Sequence, residues 1–357
     1  MQTTPIKGRG SVSNRVSRFD AFEREPLDDE WTADGQQAVP KPATTVFTET
    51  ARSIISRNAS PDIPFEQSIN PYRGCEHGCI YCYARPTHAY LNHSPGLDFE
   101  TKLYAKHNAA DVLRRTLSDP SYAPKLIALG ANTDPYQPIE RRLRITESIL
   151  AVLEEFNHPV AITTKSASVT RDIELLARMA GKNLVRVCLS IGSLDRRIAR
   201  TLEPRASTPG ARMDAVRALA GAGVPTGVIV APVIPALTDH DLEKILFQAK
   251  DAGADSASYV LLRLPLEIAE LFREWLQAHH PLKEAHVMGL VRQMRGGRLY
   301  DSDFGSRMRG TGVFADLVEQ RFRNACAKAG LDRRRPQLDT TLFRRPPGGD
   351  TPQLTLF

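Results

Sequence analysis

Between residues 59 and 280 the chain alternates short apolar runs with longer stretches whose apolar residues recur every three or four positions. The short runs predict strands at Glu66–Asn70, Lys125–Ala131, Val160–Thr164, Leu184–Ile191, Thr226–Pro232 and Ser256–Leu262. Several lack any polar alternation, the pattern of parallel strands covered on both faces. The longer stretches predict helices at Ala109–Ser118, Arg144–Phe156, Val169–Ala180, Thr208–Ala222, Asp239–Ala252 and Leu266–Ala278. Ile145, Ile149, Val152, Leu153 and Phe156 form one core-facing stripe. Gly181 and Gly223 stand where helix C-terminal caps are expected, and Thr238 where an N-cap is. Six strand-then-helix units in series imply right-handed crossovers and a parallel sheet. An open doubly wound sheet and a partial barrel fit this order equally. In either, ligands meet the loops at the carboxyl ends of the strands.

The flanks read differently. Residues 1–58 are polar and rich in Pro, Gly, Asp, Arg and Thr, a loosely ordered arm with a short helix expected at Ala51–Ser56. Residues 281–343 form a C-terminal extension with an amphipathic helix at Phe314–Ala329. Residues 344–357 carry Pro346, Pro347, Gly348, Gly349 and Pro352 and read as a flexible tail.

Composition narrows the class. With 41% hydrophobic and 25% charged residues and no apolar run of membrane-spanning length, the expectation is a soluble, cytoplasmic protein. A net charge of +6 is compatible with nucleic acid and equally with solvated basic faces. Five cysteines are an odd count, which argues against a disulfide framework. Three of them, Cys75, Cys79 and Cys82, fall in the loop after the first predicted strand.

That loop runs Asn70-Pro-Tyr-Arg-Gly-Cys75-Glu-His-Gly-Cys79-Ile-Tyr-Cys82-Tyr-Ala-Arg85. Thiolates at i, i+4 and i+7 can face one centre, and Gly74 and Gly78 let the backbone curl around it. Three thiolates on a four-iron cluster leave one iron open for a small chelating molecule. A structural zinc completed by His77 or His88 is an alternative. A Cys-x-x-Cys redox pair is another, but leaves Cys75 unexplained.

The Cys75-x3-Cys79-x2-Cys82 spacing, with Tyr81 before the last cysteine, resembles the signature of the radical S-adenosylmethionine superfamily. The resemblance spans about residues 60–280 and implies a partial (β/α)6 barrel of the TIM type. It further implies a [4Fe–4S] cluster on the three cysteines. When reduced, that cluster would cleave bound S-adenosyl-L-methionine to give a radical that abstracts a substrate hydrogen. The electron would come from a donor such as flavodoxin or ferredoxin. Together with Asn132-Thr-Asp-Pro-Tyr-Gln-Pro138 and Thr163-Thr-Lys165, the loop looks most like the branch holding spore photoproduct lyase and relatives labelled DNA repair photolyases. Carried over by position, Tyr81 would lie near the adenine, and Thr133, Lys165, Ser190 and Ala231 would help seat the cosubstrate. Lys165 suits the methionyl carboxylate; Ser190 and Thr133 offer hydroxyls, with Asn132 and Asp134 equally polar neighbours. Arg205 would contact an anion or cap a helix.

One departure matters. Spore photoproduct lyases carry a hydrogen-donating cysteine after the second barrel strand, whereas Gly130-Ala-Asn-Thr133 has none. Tyr83 and Tyr136 are substitutes by chemistry. The implied substrate is therefore a nucleic-acid lesion or modified base in general, with a protein or small molecule as the alternative.

Two further segments bear on partners. Val291–Gly310 holds five arginines with Tyr300 and Phe304, a candidate nucleic-acid surface or a polar loop paired internally to Asp301 and Asp303. The terminal Gln353-Leu-Thr-Leu-Phe357 resembles the peptide by which bacterial repair proteins dock on the DNA sliding clamp.

Overall fold

The computed structural model describes residues 5–20, 42–332 and 337–346; the terminal pentapeptide read as a clamp ligand lies outside them. In chain order the strands are β1 (Thr45–Glu49), β2 (Ile55–Arg57), β3 (Gln67–Ile69), β4 (Tyr72–Arg73) and β5 (Lys102–Lys106). They continue with β6 (Ile127–Leu129), β7 (Val160–Thr164), β8 (Val185–Ser190), β9 (Thr226–Val233) and β10 (Ser256–Leu261). A seven-stranded sheet has the order β10-β9-β8-β7-β6-β3-β2. Its six strands from β3 to β10 run parallel, and only β2 is antiparallel. Those six are the predicted strands: four are trimmed at their ends, β7 has the predicted bounds and β9 runs one residue further.

The helices between them also fall where the periodicity put them, from Ala109–Ser118 and Ile145–Glu155 to Pro209–Gly221 and Ile268–His279. Their apolar stripes and both sheet faces merge into one core that includes Ile149, Leu153, Ile162, Val187, Val228 and Trp275. Burial on both faces explains why β6 reads as a continuous apolar run rather than an alternating one, while β3 is buried throughout although two of its three residues, Gln67 and Ser68, are polar.

Three local expectations change. Gly223 takes the left-handed conformation of a cap (φ 77°), but Gly181 does not; Asn183 does instead (φ 52°). Thr238 does not cap a helix through its side chain. Its hydroxyl accepts from Ile234 N and donates to the Pro232 carbonyl, and a 3-10 turn precedes the helix. The short helix expected at Ala51–Ser56 is absent, and Ile55–Arg57 pairs with β3 as a strand.

A second sheet, β1-β5-β4, was not expected. It packs beside the cysteine loop, and residues 9–14, from the stretch read as an arm, thread in next to it. At the amino ends of the parallel strands, residues 337–346 close the barrel. Phe343 packs on Tyr122, Phe156 and His158, and Arg345 donates to the carbonyls of Asp119, Pro120 and Tyr122. No described helix is long and apolar enough to cross a membrane.

Candidate functional site

The segment 74–85 lies at the carboxyl ends of parallel strands, where Tyr83 meets Ala131 after β6 and Arg263 after β10, and Tyr81 meets Lys165 after β7. The cysteine loop is shaped from outside by an unanticipated pair, Arg85 and Glu100, both fully buried and 2.5 Å apart. Arg85 donates to the carbonyls of Gly78 (3.0 Å), Cys79 (2.8 Å), Pro95 and Gly96. Glu100 accepts from Gly10 N (3.0 Å) and Ser11 N (2.8 Å). Every polar atom of the pair thus has a partner, the condition under which a buried ion pair is tolerated. Space here is minimal. A Cβ on Gly78, whose φ is +67°, would sit 2.7 Å from Glu100 Oε2, and one on Gly10 would sit 1.9 Å from the Gly78 carbonyl oxygen.

Within this frame Cys75 and Cys79 are buried and Cys82 is half-buried; all three are free thiols. Burial, with Asp134 near Cys75 and Glu203 near Cys79, pushes the first two thiols well above the ordinary range. Such thiols bind metal only by exchanging the proton for it. The donor set fits a [4Fe–4S] cluster: three thiolates on one loop, one more accessible than the others, with one iron left for a small molecule. It does not fit a single zinc. Among the described residues no three His, Cys, Asp or Glu side chains converge as one ion requires. His77 Nδ1 faces Asp134 Oδ2 at 3.3 Å, and His88 Nε2 bonds with the Lys102 carbonyl at 3.0 Å.

Lys165 follows β7 directly. Its ammonium lies 5.8 Å over the Tyr81 ring, beside Cys79 and Glu203. Burial opposes its charge, but Cys79 and Glu203 more than offset this and raise its pKa. No hydrogen bond within the described residues uses up this ammonium. Tyr81 donates its hydroxyl to Glu203, which also binds Arg212. Arg212 in turn donates to the carbonyls of Ser190 (2.7 Å) and Ser207 (2.8 Å). Burial favours the neutral acid at Glu203, yet Arg212 and Lys165 prevail and hold its pKa below normal. Glu203 and Arg212 escaped sequence reasoning because each falls in or beside a helix with no motif of its own.

The other expected residues divide. Ser190 and Ala231 adjoin at the ends of β8 and β9, where the Ser190 hydroxyl donates to the Ala231 carbonyl at 3.1 Å. Thr133 is buried and spends its hydroxyl on the Tyr72 carbonyl at 2.8 Å. Asp134 is a brace rather than an open acceptor. It accepts from Thr164 Oγ1 (2.6 Å), Lys165 N (2.7 Å) and Tyr136 N (2.9 Å). Burial raises its pKa, but His77 and these donors bring it down to about 2. Asn132 is held through its backbone by Asn70. Arg205 pairs with Glu76 at 3.1 Å rather than standing free.

The two tyrosines proposed as hydrogen donors are now distinct. Tyr136 is buried with its hydroxyl on Asp172 at 2.9 Å. Tyr83 is 47% exposed beside Cys82, and its hydroxyl donates to the Ala131 carbonyl, in the very stretch that lacks a cysteine. In the arginine-rich segment the internal pairs differ from those expected. Arg307 binds Asp62 at 2.5 Å, Arg309 faces Glu319 at 3.3 Å, and Arg295 is buried on the carbonyls of Leu262 and Ser306.

Comparison with known proteins agrees with this geometry. A 221-residue stretch is 40% identical to an uncharacterized protein of Mycobacterium tuberculosis, covering 61% of this chain and 65% of that relative. An uncharacterized protein of Methanocaldococcus jannaschii is 26% identical over 213 residues, 60% of this chain and 76% of its own. Among solved structures, spore photoproduct lyase complexed with dinucleoside spore photoproduct superposes with a TM-score of 0.56 at 16% identity, over 79% of both chains. The same enzyme as a double mutant with bound AdoMet and that photoproduct gives the same values. These structural likenesses establish the fold, the TIM-like partial barrel. The Radical SAM superfamily model matches residues 69–249, from the end of β3 through the helix after β9. The chain therefore belongs to the radical SAM superfamily.

Proposed function

We propose that this protein binds a [4Fe–4S] cluster through Cys75, Cys79 and Cys82, cleaves S-adenosyl-L-methionine reductively and abstracts hydrogen from a nucleic-acid lesion or modified base. The observation that carries this reading is the three-thiol loop at the strand-end face, with an unspent Lys165 ammonium beside it. When bound, the cluster supplies the electron, drawn from a flavodoxin- or ferredoxin-like donor, that breaks a carbon–sulfur bond of the cosubstrate. The residues do the positioning. Lys165 pairs with the methionyl carboxylate; Tyr81, fixed through Glu203 and Arg212, lies against the adenine; Ser190 and Ala231 form the neighbouring wall. Thr133, bonded to the Tyr72 carbonyl, braces the start of the cysteine loop. Tyr83, exposed and adjacent to Cys82, is the residue suited to return a hydrogen atom to the product. A nucleic-acid substrate is supported by the basic charge and by the shared fold of an enzyme solved with a dinucleoside photoproduct.

Anaerobic reconstitution with iron and sulfide followed by reduction tests the chemistry. A brown protein that yields 5′-deoxyadenosine supports it; colourless protein holding tight zinc refutes it. Deuterated candidate nucleic acids test the substrate. Label in 5′-deoxyadenosine identifies the base attacked, and label transferred only from proteins or small molecules would move the substrate class.

A further inference from the structure

Arg263 lies two residues beyond β10, at the same strand-end face as the cysteine loop. Its guanidinium carbon sits 5.3 Å from the ring centre of Tyr83 and 5.9 Å from that of Tyr300. It therefore bridges the residue after Cys82 to the arginine-rich segment. Its Nε is buried without a hydrogen-bond partner, and its Nη1 meets only the sulfur of Met308 at 3.0 Å, a weak acceptor. Of the other arginines, Arg307 is engaged by Asp62, Arg309 by Glu319, and Arg295, whose Nε is likewise unpartnered, by two carbonyls. Arg263 has no carboxylate partner among the described residues. A partly buried guanidinium with idle donors is costly to hold unless something binds it.

The surroundings define what that ligand is. Two ring faces hold the guanidinium plane without neutralising it, which leaves its fork for a planar or tetrahedral oxyanion. Exposed aromatic surface lies alongside on Tyr83, and Phe304 (59% exposed), four residues on from Tyr300 and under Arg307, offers a second ring where bases can stack. Oxyanion and stacking surface together describe a nucleotide strand better than an acidic peptide. We infer that Arg263 grips one backbone phosphate of the substrate and holds the adjoining nucleotide against Tyr83, beside the cysteine loop. This rests on the nucleic-acid reading proposed above.

The test uses the full chain with its cluster reconstituted and a short fluorescent single-stranded oligothymidylate as probe. Arg263→Gln should weaken binding by about 10-fold or more and lower the salt slope by about one. Arg263→Lys should keep part of the affinity, while iron content and S-adenosylmethionine binding stay unchanged in both. Independently of any variant, replacing the phosphates one at a time by neutral methylphosphonate should reveal one position that costs the wild type as much as Arg263→Gln does. That position should cost the Gln variant nothing further. If Arg263→Gln binds like wild type, the inference falls and the nucleic-acid reading stands. If wild type ignores the oligonucleotide but holds an acidic peptide through Arg263, both fall together.

Discussion

The two ends of the barrel are built on opposite principles. At the amino end polar groups pair with one another: Tyr122 bonds Gln67 at 2.7 Å and His158 at 2.8 Å, and Phe343 with Arg345 covers them. At the carboxyl end the loops are braced as carefully, but key donors are left idle: the Lys165 ammonium and the Arg263 guanidinium. The amino-end groups complete one another, whereas Lys165 and Arg263 have no carboxylate bonded to them among the described residues, as the proposed binding roles require. This is the division of labour expected of barrels whose active sites lie at the carboxyl face.

The comparison breaks most visibly at the cysteines. Cys79→Ser should cut 5′-deoxyadenosine formation by on the order of 10³-fold or more, because an alkoxide is a poor iron ligand. Retention of iron and activity in that variant would remove the cluster from this loop. At the amino end, burial depresses His158 to about 4, so the folded protein keeps it neutral where the unfolded chain protonates it. Its contribution to stability is full above the unfolded value near 6.5 and is lost as pH falls toward 4. The loss amounts to about 3 kcal/mol. Urea titrations across that window should show His158→Gln with a flatter pH profile and unchanged cosubstrate binding; an unaltered slope would contradict the assignment.

Returning to the carboxyl end, Lys165→Met should weaken S-adenosylmethionine about 10- to 100-fold, the worth of one charge-assisted contact, with iron content intact. Calorimetric titration decides it, and equal affinity would deny Lys165 its role. The smallest effect belongs to Thr133. Since its hydroxyl already serves the Tyr72 carbonyl, Thr133→Val should shift cosubstrate affinity by less than about two-fold while lowering stability by about 1 kcal/mol. A large affinity loss would mean that the hydroxyl turns toward the ligand.

Legibility followed the same division. Most of the parallel strands declared themselves because burial on both faces favours apolar runs, with Gln67–Ile69 the exception, and the cysteines because metal ligation admits few residue types at few spacings. β5, with alternating burial along Lys102–Lys106, carried a readable signal but is short and lies outside the repeating units. Arg85 and Glu100 were illegible. Charged residues are ordinarily taken as surface, and only a fold that brings residues 9–11 against both reveals that they are sealed inside. Arg263 likewise looks like any strand-end arginine until its neighbours are known. Thr133 enters through the family resemblance alone, and its hydroxyl bonds the Tyr72 carbonyl.

The Arg85–Glu100 lock has a practical corollary for anyone producing this protein. Glu100 also accepts from the backbone of Gly10 and Ser11, so a shortened version starting after residue 11 would leave this buried carboxylate short of two donors under the cysteine loop. Such a version should express as a soluble barrel that loads iron poorly and bleaches early. Tags belong upstream of a preserved leader, and crystallisation trimming should spare those few residues.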